Sequence, residues 1–384
     1  MGWALLADTI PIYPLYALLF AESGLSNSRI SLLFIIWSAV AFIAEIPSGA
    51  LADRFSRRAA LVASSLLQAL GYLLWITLPG FGAFAAGFVL WGLGGALASG
   101  SLEALLYDGL AAAGAEDRYA QVQGRVTAMG LVSQLPVALA ATALFSLGGY
   151  RLAGWVSIVC CLAASWVASL LPEPPRRTDH QHAGGYLETL RTGIAQAVSR
   201  PAVRSAVIAV AVVGGLDAIE EYFPLLAGRW GVATGEVPLA LLGIPIAGAA
   251  GAALGGAANR LRPSTLALIL GLAAVLFGVS GLVGRPSGLA GVAAFYFLYH
   301  VVLVALDARL QASIEGGSRA TVTSVAGLGI ELSAILFFGL WAIGELNLVA
   351  VVGLLVALAL PRWLSERELD LVPDQKATHA RIDA

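Results

Sequence analysis

The sequence predicts an all-α polytopic membrane protein with twelve transmembrane helices, on three observations: apolar bulk, segments of spanning length, and one-sided basic residues. The 384-residue chain is 59% hydrophobic and 12% charged, with a mean hydropathy of +0.84. That is too little polar surface to cover soluble domains. A spanning helix takes about 20 apolar residues. Charged or Pro/Gly punctuation divides the chain into twelve such segments, near 3–22, 29–51, 59–79, 82–109, 121–147, 151–171, 203–227, 236–258, 265–284, 288–312, 320–342 and 345–364. The strict apolar/polar alternation of a membrane barrel is missing, so the spanning elements are helices that satisfy their own backbone.

Residues 3–22 lack a basic leader and read as a retained first helix. With both termini cytoplasmic, eighteen of the 22 basic residues fall on cytoplasmic ends, leaving Arg29, Arg151, Arg229 and Arg285 outside. This asymmetry fits the positive-inside rule and an even number of spans. The basic residues are almost all arginine, which points to a GC-rich genome and a bacterial inner (cytoplasmic) membrane. Cys160 and Cys161 are adjacent in one apolar segment, a spacing that suits neither a disulfide framework nor a metal site. No cofactor, metal or nucleic acid is expected, and a monomer among membrane lipids is.

The longest polar interruption runs from Pro172 to Arg200 and separates six spans from six. The expected organisation is therefore a bundle at 1–172, a cytoplasmic linker at 173–202, a second bundle at 203–364 and a tail at 365–384. Leu187, Leu190, Ile194 and Val198 recur at helical spacing in the linker, which predicts a short amphipathic helix on the membrane surface. The two halves echo each other. Gly49, Ala52, Asp53, Arg54 and Phe55 align at an offset of 206 with Gly255, Ala258, Asn259, Arg260 and Leu261. The second copy has lost its acid.

The turn between the second and third spans reads Gly49-Ala-Leu-Ala-Asp53-Arg54-Phe-Ser56-Arg57-Arg58. It resembles the cytoplasmic signature of the major facilitator superfamily, Gly-x-Leu-Ala-Asp-Arg-x-Gly-Arg-Arg/Lys, with Ser56 in place of the second glycine. Glu45-Ile-Pro-Ser-Gly and Ser99-Gly-Ser-Leu-Glu-Ala-Leu-Leu-Tyr-Asp108 resemble bacterial efflux-type members. The resemblance implies two pseudo-symmetric six-helix bundles and transport by alternating access. It also implies that Asp108 on the fourth helix pairs with Arg57. Gly49, Asp53, Arg54, Arg57, Arg58 and Asp108 are thus expected to form a gating latch between the halves. Gly49 gives close helix approach, and Asp53 meets guanidinium groups or a facing helix N-terminus.

Charged groups inside a span cost about 2.5 to 3.5 kcal/mol on insertion scales and so face a cavity or a partner. On the seventh helix Asp217, Glu220 and Glu221 fall within an arc of about 100° if the helix is regular, a face suited to protons or cations. Glu331 lies mid-span on the eleventh helix. Tyr296, His300 and Asp307 share a face of the tenth, where imidazole can relay protons. Asp8, Glu45 and Glu103 are the first-half candidates for proton coupling or the substrate cavity. Trp37, Trp91, Tyr222, Phe223, Tyr299, Phe338 and Trp341 are candidate cavity aromatics.

No nucleophile with its base, magnesium-type acid pair or His cluster recurs, so an enzyme is not expected. The leading expectation is proton-coupled export of small amphipathic or drug-like molecules, since the spans hold few amide side chains. Uptake or facilitated movement of a small metabolite, and a non-transporting membrane sensor, are the alternatives.

Overall fold

In the computed structural model the described residues are 2–54, 56–99, 101–115, 118–172, 200–314 and 319–364, without the side chains of 45–54, 120, 127–129, 131–132 and 319–321. Residues 173–199 of the expected linker, with its amphipathic helix, and the tail at 365–384 lie outside the described residues. So do the side chains of Glu45, Gly49, Asp53 and Arg54.

The described residues form helices and connecting turns only. In chain order these are α1 (Gly2–Asp8), α2 (Tyr16–Glu22), α3 (Asn27–Arg54), α4 (Arg57–Thr77), α5 (Phe81–Ala98), α6 (Ser101–Ala112) and α7 (Tyr119–Ser169). After the linker come α8 (Pro201–Gly215), α9 (Phe223–Arg229), α10 (Val237–Ala240), α11 (Gly243–Ala258), α12 (Pro263–Val283), α13 (Gly288–Ser313) and α14 (Arg319–Trp363). Ten segments are long and apolar enough to cross a membrane. Two of them belong to α7 and α14, which run continuously only by hydrogen bonding. Non-helical residues break α7 at Gly148 and Gly149 and α14 at Glu345.

Helices before the linker pack chiefly on one another, with α3 and α4 against α5 and α1 and α4 against α7. Those after it do the same, with α8 and α12 against α14 and α11 against α13. The main contact between these two sets is α3 on α14, joined by α2 on α9 and α7 on α10. Glycine makes the tightest of these packings possible. A Cβ at Gly251 of α11 would run into the Phe297 carbonyl oxygen of α13, and one at Gly248 would sit 2.7 Å from the Tyr296 ring. Backbone cannot yield as a flexible side chain does. Gly251→Leu is therefore expected to cost about 3 kcal/mol, the upper end for overpacking, seen as loss of monodisperse folded protein in detergent.

The expected first helix, 3–22, is not continuous. Pro11 and Pro14 remove backbone donors and α1 stops at Asp8. The chain crosses to α2 through a short 3₁₀ turn, Tyr13–Leu15. The face that Asp8 and Glu22 would share on a regular helix is lost. The freed Ile12 N–H donates to Ser157 Oγ of α7 at 3.0 Å, and both residues are fully buried. Ser157→Ala leaves that N–H unpaired, for an expected loss of about 1–3 kcal/mol, measurable as a lower thermal midpoint. Ser157→Thr keeps the acceptor and is expected to retain more of the stability.

The seventh span breaks at the corresponding place in the second half. After Gly214-Gly215 the residues Leu216–Tyr222 form a 3₁₀ helix, and α9 restarts with Pro224 in its first turn. Seven residues is long for this geometry, and such stretches often mark functional sites.

Candidate functional site

The 3₁₀ stretch corrects the expected single acidic face. At three residues per turn, positions i and i+3 eclipse. Asp217 and Glu220 therefore stack on one face, and Glu221 points about 120° away. Each face has found tyrosines. On one, the Tyr296 hydroxyl of α13 lies 2.9 Å from both Asp217 Oδ1 and Glu220 Oε2. On the other, Tyr16 of α2 donates to Glu221 Oε2 and Tyr13 donates to Oε1 at 3.4 Å. Glu221 is thus a second-half carboxylate satisfied by first-half hydroxyls.

The two faces differ in proton arithmetic. A phenol has one proton to donate. Tyr13 and Tyr16 together supply two, one for each Glu221 oxygen, so that carboxylate is satisfied in its charged form. Tyr296 alone faces two carboxyls, and both contacts are hydrogen bonds only when one carboxyl carries a proton itself. The Asp217–Tyr296–Glu220 group is built to hold one exchangeable proton.

These residues form part of the wall of a cavity of about 780 Å³ between the two halves. Asp8, Glu220, Glu221, Gln68 and Gln134 supply polar groups, while Tyr13, Tyr72, Trp91 and Phe223 supply aromatic faces. The cavity runs toward the end that bears Arg57, past Trp3, Leu102 and Val126. Trp3 packs there with Leu61 and Leu105 and donates to Ser65 Oγ at 3.2 Å.

The opposite end is shut. Glu345 accepts from Arg229 at 2.5 Å and from Asn27 across the halves. Thr234 donates to Glu22 at 2.8 Å, and Ser28 donates to the Ala342 carbonyl at 3.1 Å. Arg151 and Glu22 line a small cleft at this end. Glu345 holds a backbone conformation, φ 49°, ψ −147°, that L-residues rarely adopt. Its counterpart in the pattern Gly148-Gly149-x-x-Leu152 and Gly344-Glu345-x-x-Leu348 is Gly149, at φ 62°, ψ −156°.

The other expected positions fall as follows. Arg57 of α4 is ion-paired with Asp108 of α6. Both belong to the first half, so this pair alone does not bridge the halves. Arg58 donates to the Leu171 carbonyl at 3.4 Å. Ser56, which replaces the signature glycine, caps α4 by accepting the Ala59 N–H at 3.0 Å. Glu331 does not line the cavity; it accepts from Ser38 at 2.7 Å and ties α14 to α3. His300 packs edge-on to Tyr296, 4.3 Å between centroids, outside the cavity wall. Asp307 and Glu103 are exposed and also outside it. Of the seven candidate aromatics, Trp91 and Phe223 line the cavity. Tyr222 instead stacks on Trp341 at 4.1 Å and shares a 2.7 Å hydrogen bond with Ser31, inside the core.

Sequence reasoning missed Tyr13, Tyr16 and Glu345. The signal for the first two was present in the prolines at 11 and 14 and the Gly214-Gly215 pair. Interrupted spans at matching positions of two halves mark the binding site of many transporters. Among the described residues no group of three or more His, Cys, Asp or Glu is placed to hold a metal.

A helical membrane protein whose two halves enclose a polar cavity, shut at one end and flanked by interrupted first helices, has the build of a carrier. The chain belongs to the Major Facilitator Superfamily, whose profile matches residues 1–338, and membership points to a transporter and not to an enzyme. Among solved structures it is similar to the nucleoside transporter NupG (TM-score 0.75, 11% identity, 94% of this chain and 98% of that one). It is also similar to a D-xylose-proton symporter (0.71, 15%, 95% and 96%) and to the peptide transporter POT (0.70, 14%, 95% and 93%). These likenesses establish the fold. No curated protein matches the chain by sequence.

Proposed function

We propose that this chain is a secondary transporter working by alternating access, and that it exports small amphipathic or drug-like molecules in exchange for protons. The observation that carries the reading is the cavity of about 780 Å³, closed by cross-half contacts at the Glu345 end and walled by aromatics and carboxylates. Its volume is that of a drug-sized ligand site. Coupling is assigned to Asp217, Tyr296 and Glu220, where one proton can be held beside the cavity. Exchange of that proton against substrate gives export.

In this reading the kinks in α7 and α14 complete twelve spans in two six-helix bundles, 1–172 and 203–364. The Arg57 end faces the cytoplasm of a bacterial inner membrane with both termini inside. Arg229 at the Glu345 end, with Arg151 beside Glu22, agrees with the positive-inside rule. The cavity then opens inward. Gly49, Asp53, Arg54, Arg57, Arg58 and Asp108 act as the inner latch once the halves rock together at that end, with Arg57–Asp108 held ready inside the first half.

Deleting the gene is expected to raise cellular accumulation of a fluorescent amphiphile. Unchanged accumulation across a broad panel would count against export. Proton-driven uptake is the second reading, favoured by the likeness to a D-xylose-proton symporter. It predicts accumulation that falls on deletion.

A further inference from the structure

We infer that the cavity selects organic cations, seating the positive centre against Glu221 and Glu220 and the apolar body on the aromatic wall. The inference deepens the transporter reading, on which it rests for its role in passage. Binding itself can be tested alone.

The charge balance of the wall comes first. Among the described lining residues, Asp8, Glu220 and Glu221 are the carboxylates, and no Lys, Arg or His is present. An anionic ligand would meet three acids and no compensating cation. A neutral sugar-like ligand needs many paired donors and acceptors, whereas Gln68, Gln134 and Ser133 are the few neutral hydrogen-bonding side chains other than the tyrosines. A cation meets a negative pole already fixed in place. Glu221 is only 7% exposed, and Tyr13 and Tyr16 hold both of its oxygens. The hydroxyls leave further lone pairs of the carboxylate open.

Aromatic faces then supply what a lipophilic cation prefers. Tyr13 is 41% exposed, with its ring 5.7 Å from that of Tyr16 and 5.9 Å from that of Trp91. Tyr72, Phe223 and Tyr296 continue the wall. Such faces attract cations through their ring quadrupoles, most strongly for tryptophan and when water is excluded. Shape alone does not discriminate here, because the cavity admits any compact ligand of suitable volume. Charge does.

Two probes of nearly the same four-phenyl shape and opposite charge test this directly. Binding of tetraphenylphosphonium and tetraphenylborate is measured on the purified full chain in detergent, with empty micelles subtracted. The expected result is at least tenfold tighter binding of the phosphonium. Glu221→Gln, which keeps size and tyrosine contacts, is expected to lose at least tenfold in phosphonium affinity while borate binding stays weak. Trp91→Leu, which alters no charge, is expected to weaken the phosphonium several-fold. Equal binding of the two probes by the unaltered protein overturns the inference, as does a folded Glu220→Gln/Glu221→Gln protein with undiminished phosphonium affinity. If Glu221→Gln does not fold, the ratio for the unaltered protein and the Trp91→Leu result still decide. Phosphonium binding without flux in liposomes would sink the carrier reading and leave the cation site standing. Flux of neutral amphiphiles with no charge preference would do the reverse.

Discussion

Tyr296→Phe is expected to uncouple proton movement from substrate movement while leaving the cavity intact. The variant removes one oxygen, the hydroxyl placed 2.9 Å from both Asp217 and Glu220. Without it the two carboxyls lose the group that lets them share one proton, and each faces the interior with one hydrogen bond fewer. A hydrogen bond to a charged group contributes about 1.5–3 kcal/mol, so proton-driven transport should fall roughly 10- to 100-fold. Substrate exchange across liposomes with no pH gradient should fall much less, because Tyr13, Trp91 and Glu221 are untouched. Glu220→Gln should produce the same split, since an amide cannot give up and regain the proton. Equal loss in both assays would mean that Tyr296 serves packing alone. Glu331→Gln is the contrasting variant. Glu331 is hydrogen-bonded to Ser38 between α3 and α14 and lies off the cavity, so it is expected to alter the rate of both assays together rather than to separate them.

Replacing Glu345 is expected to open the end of the molecule that is shut, and to expose stored backbone strain. The carboxylate accepts from Arg229 and Asn27, so any residue without it loses the clamp. The Arg229 pair is about two-fifths exposed, a setting in which an ion pair contributes about 0.2–1 kcal/mol. The population open at this end should rise up to about fivefold, read as a longer distance between spin labels placed across it. Strain is separable from the clamp. Glu345→Ala and Glu345→Gly both lose the carboxylate, but alanine keeps the cost of a left-handed φ that glycine avoids. The glycine variant should therefore be the more stable of the two by about 1 kcal/mol or more. Equal stabilities would remove the strain, and unchanged label distances would remove the gate. A glutamate kept where the first half uses Gly149 is accounted for only if its side chain acts there.

Much of the fold was legible because a bilayer imposes a simple rule, that apolar length makes a span. The signature turn and the Arg57–Asp108 pairing were legible because charges at a membrane surface have few partners to choose from. The acids of the seventh span were found for the same reason, yet their geometry was not. Spacing on a regular helix put Asp217, Glu220 and Glu221 on one face, whereas the 3₁₀ turn splits them between two sets of tyrosines. Periodicity also placed Glu331 well in depth, but could not tell a cavity wall from a helix contact. Only the packing of α3 on α14 decides that. Glu345 was invisible because it sits in a turn of two residues inside an apolar run, where neither φ nor its partners on α3 and α9 can be read from sequence.

The most direct test is transport in proteoliposomes carrying the purified chain, with tetraphenylphosphonium as the substrate and an imposed pH gradient. The account predicts movement of the cation against the flow of protons, abolished by collapsing the gradient and lost in Tyr296→Phe while exchange persists. Cation flux that ignores the gradient in the unaltered protein, or that keeps its full gradient dependence in Tyr296→Phe, would contradict it.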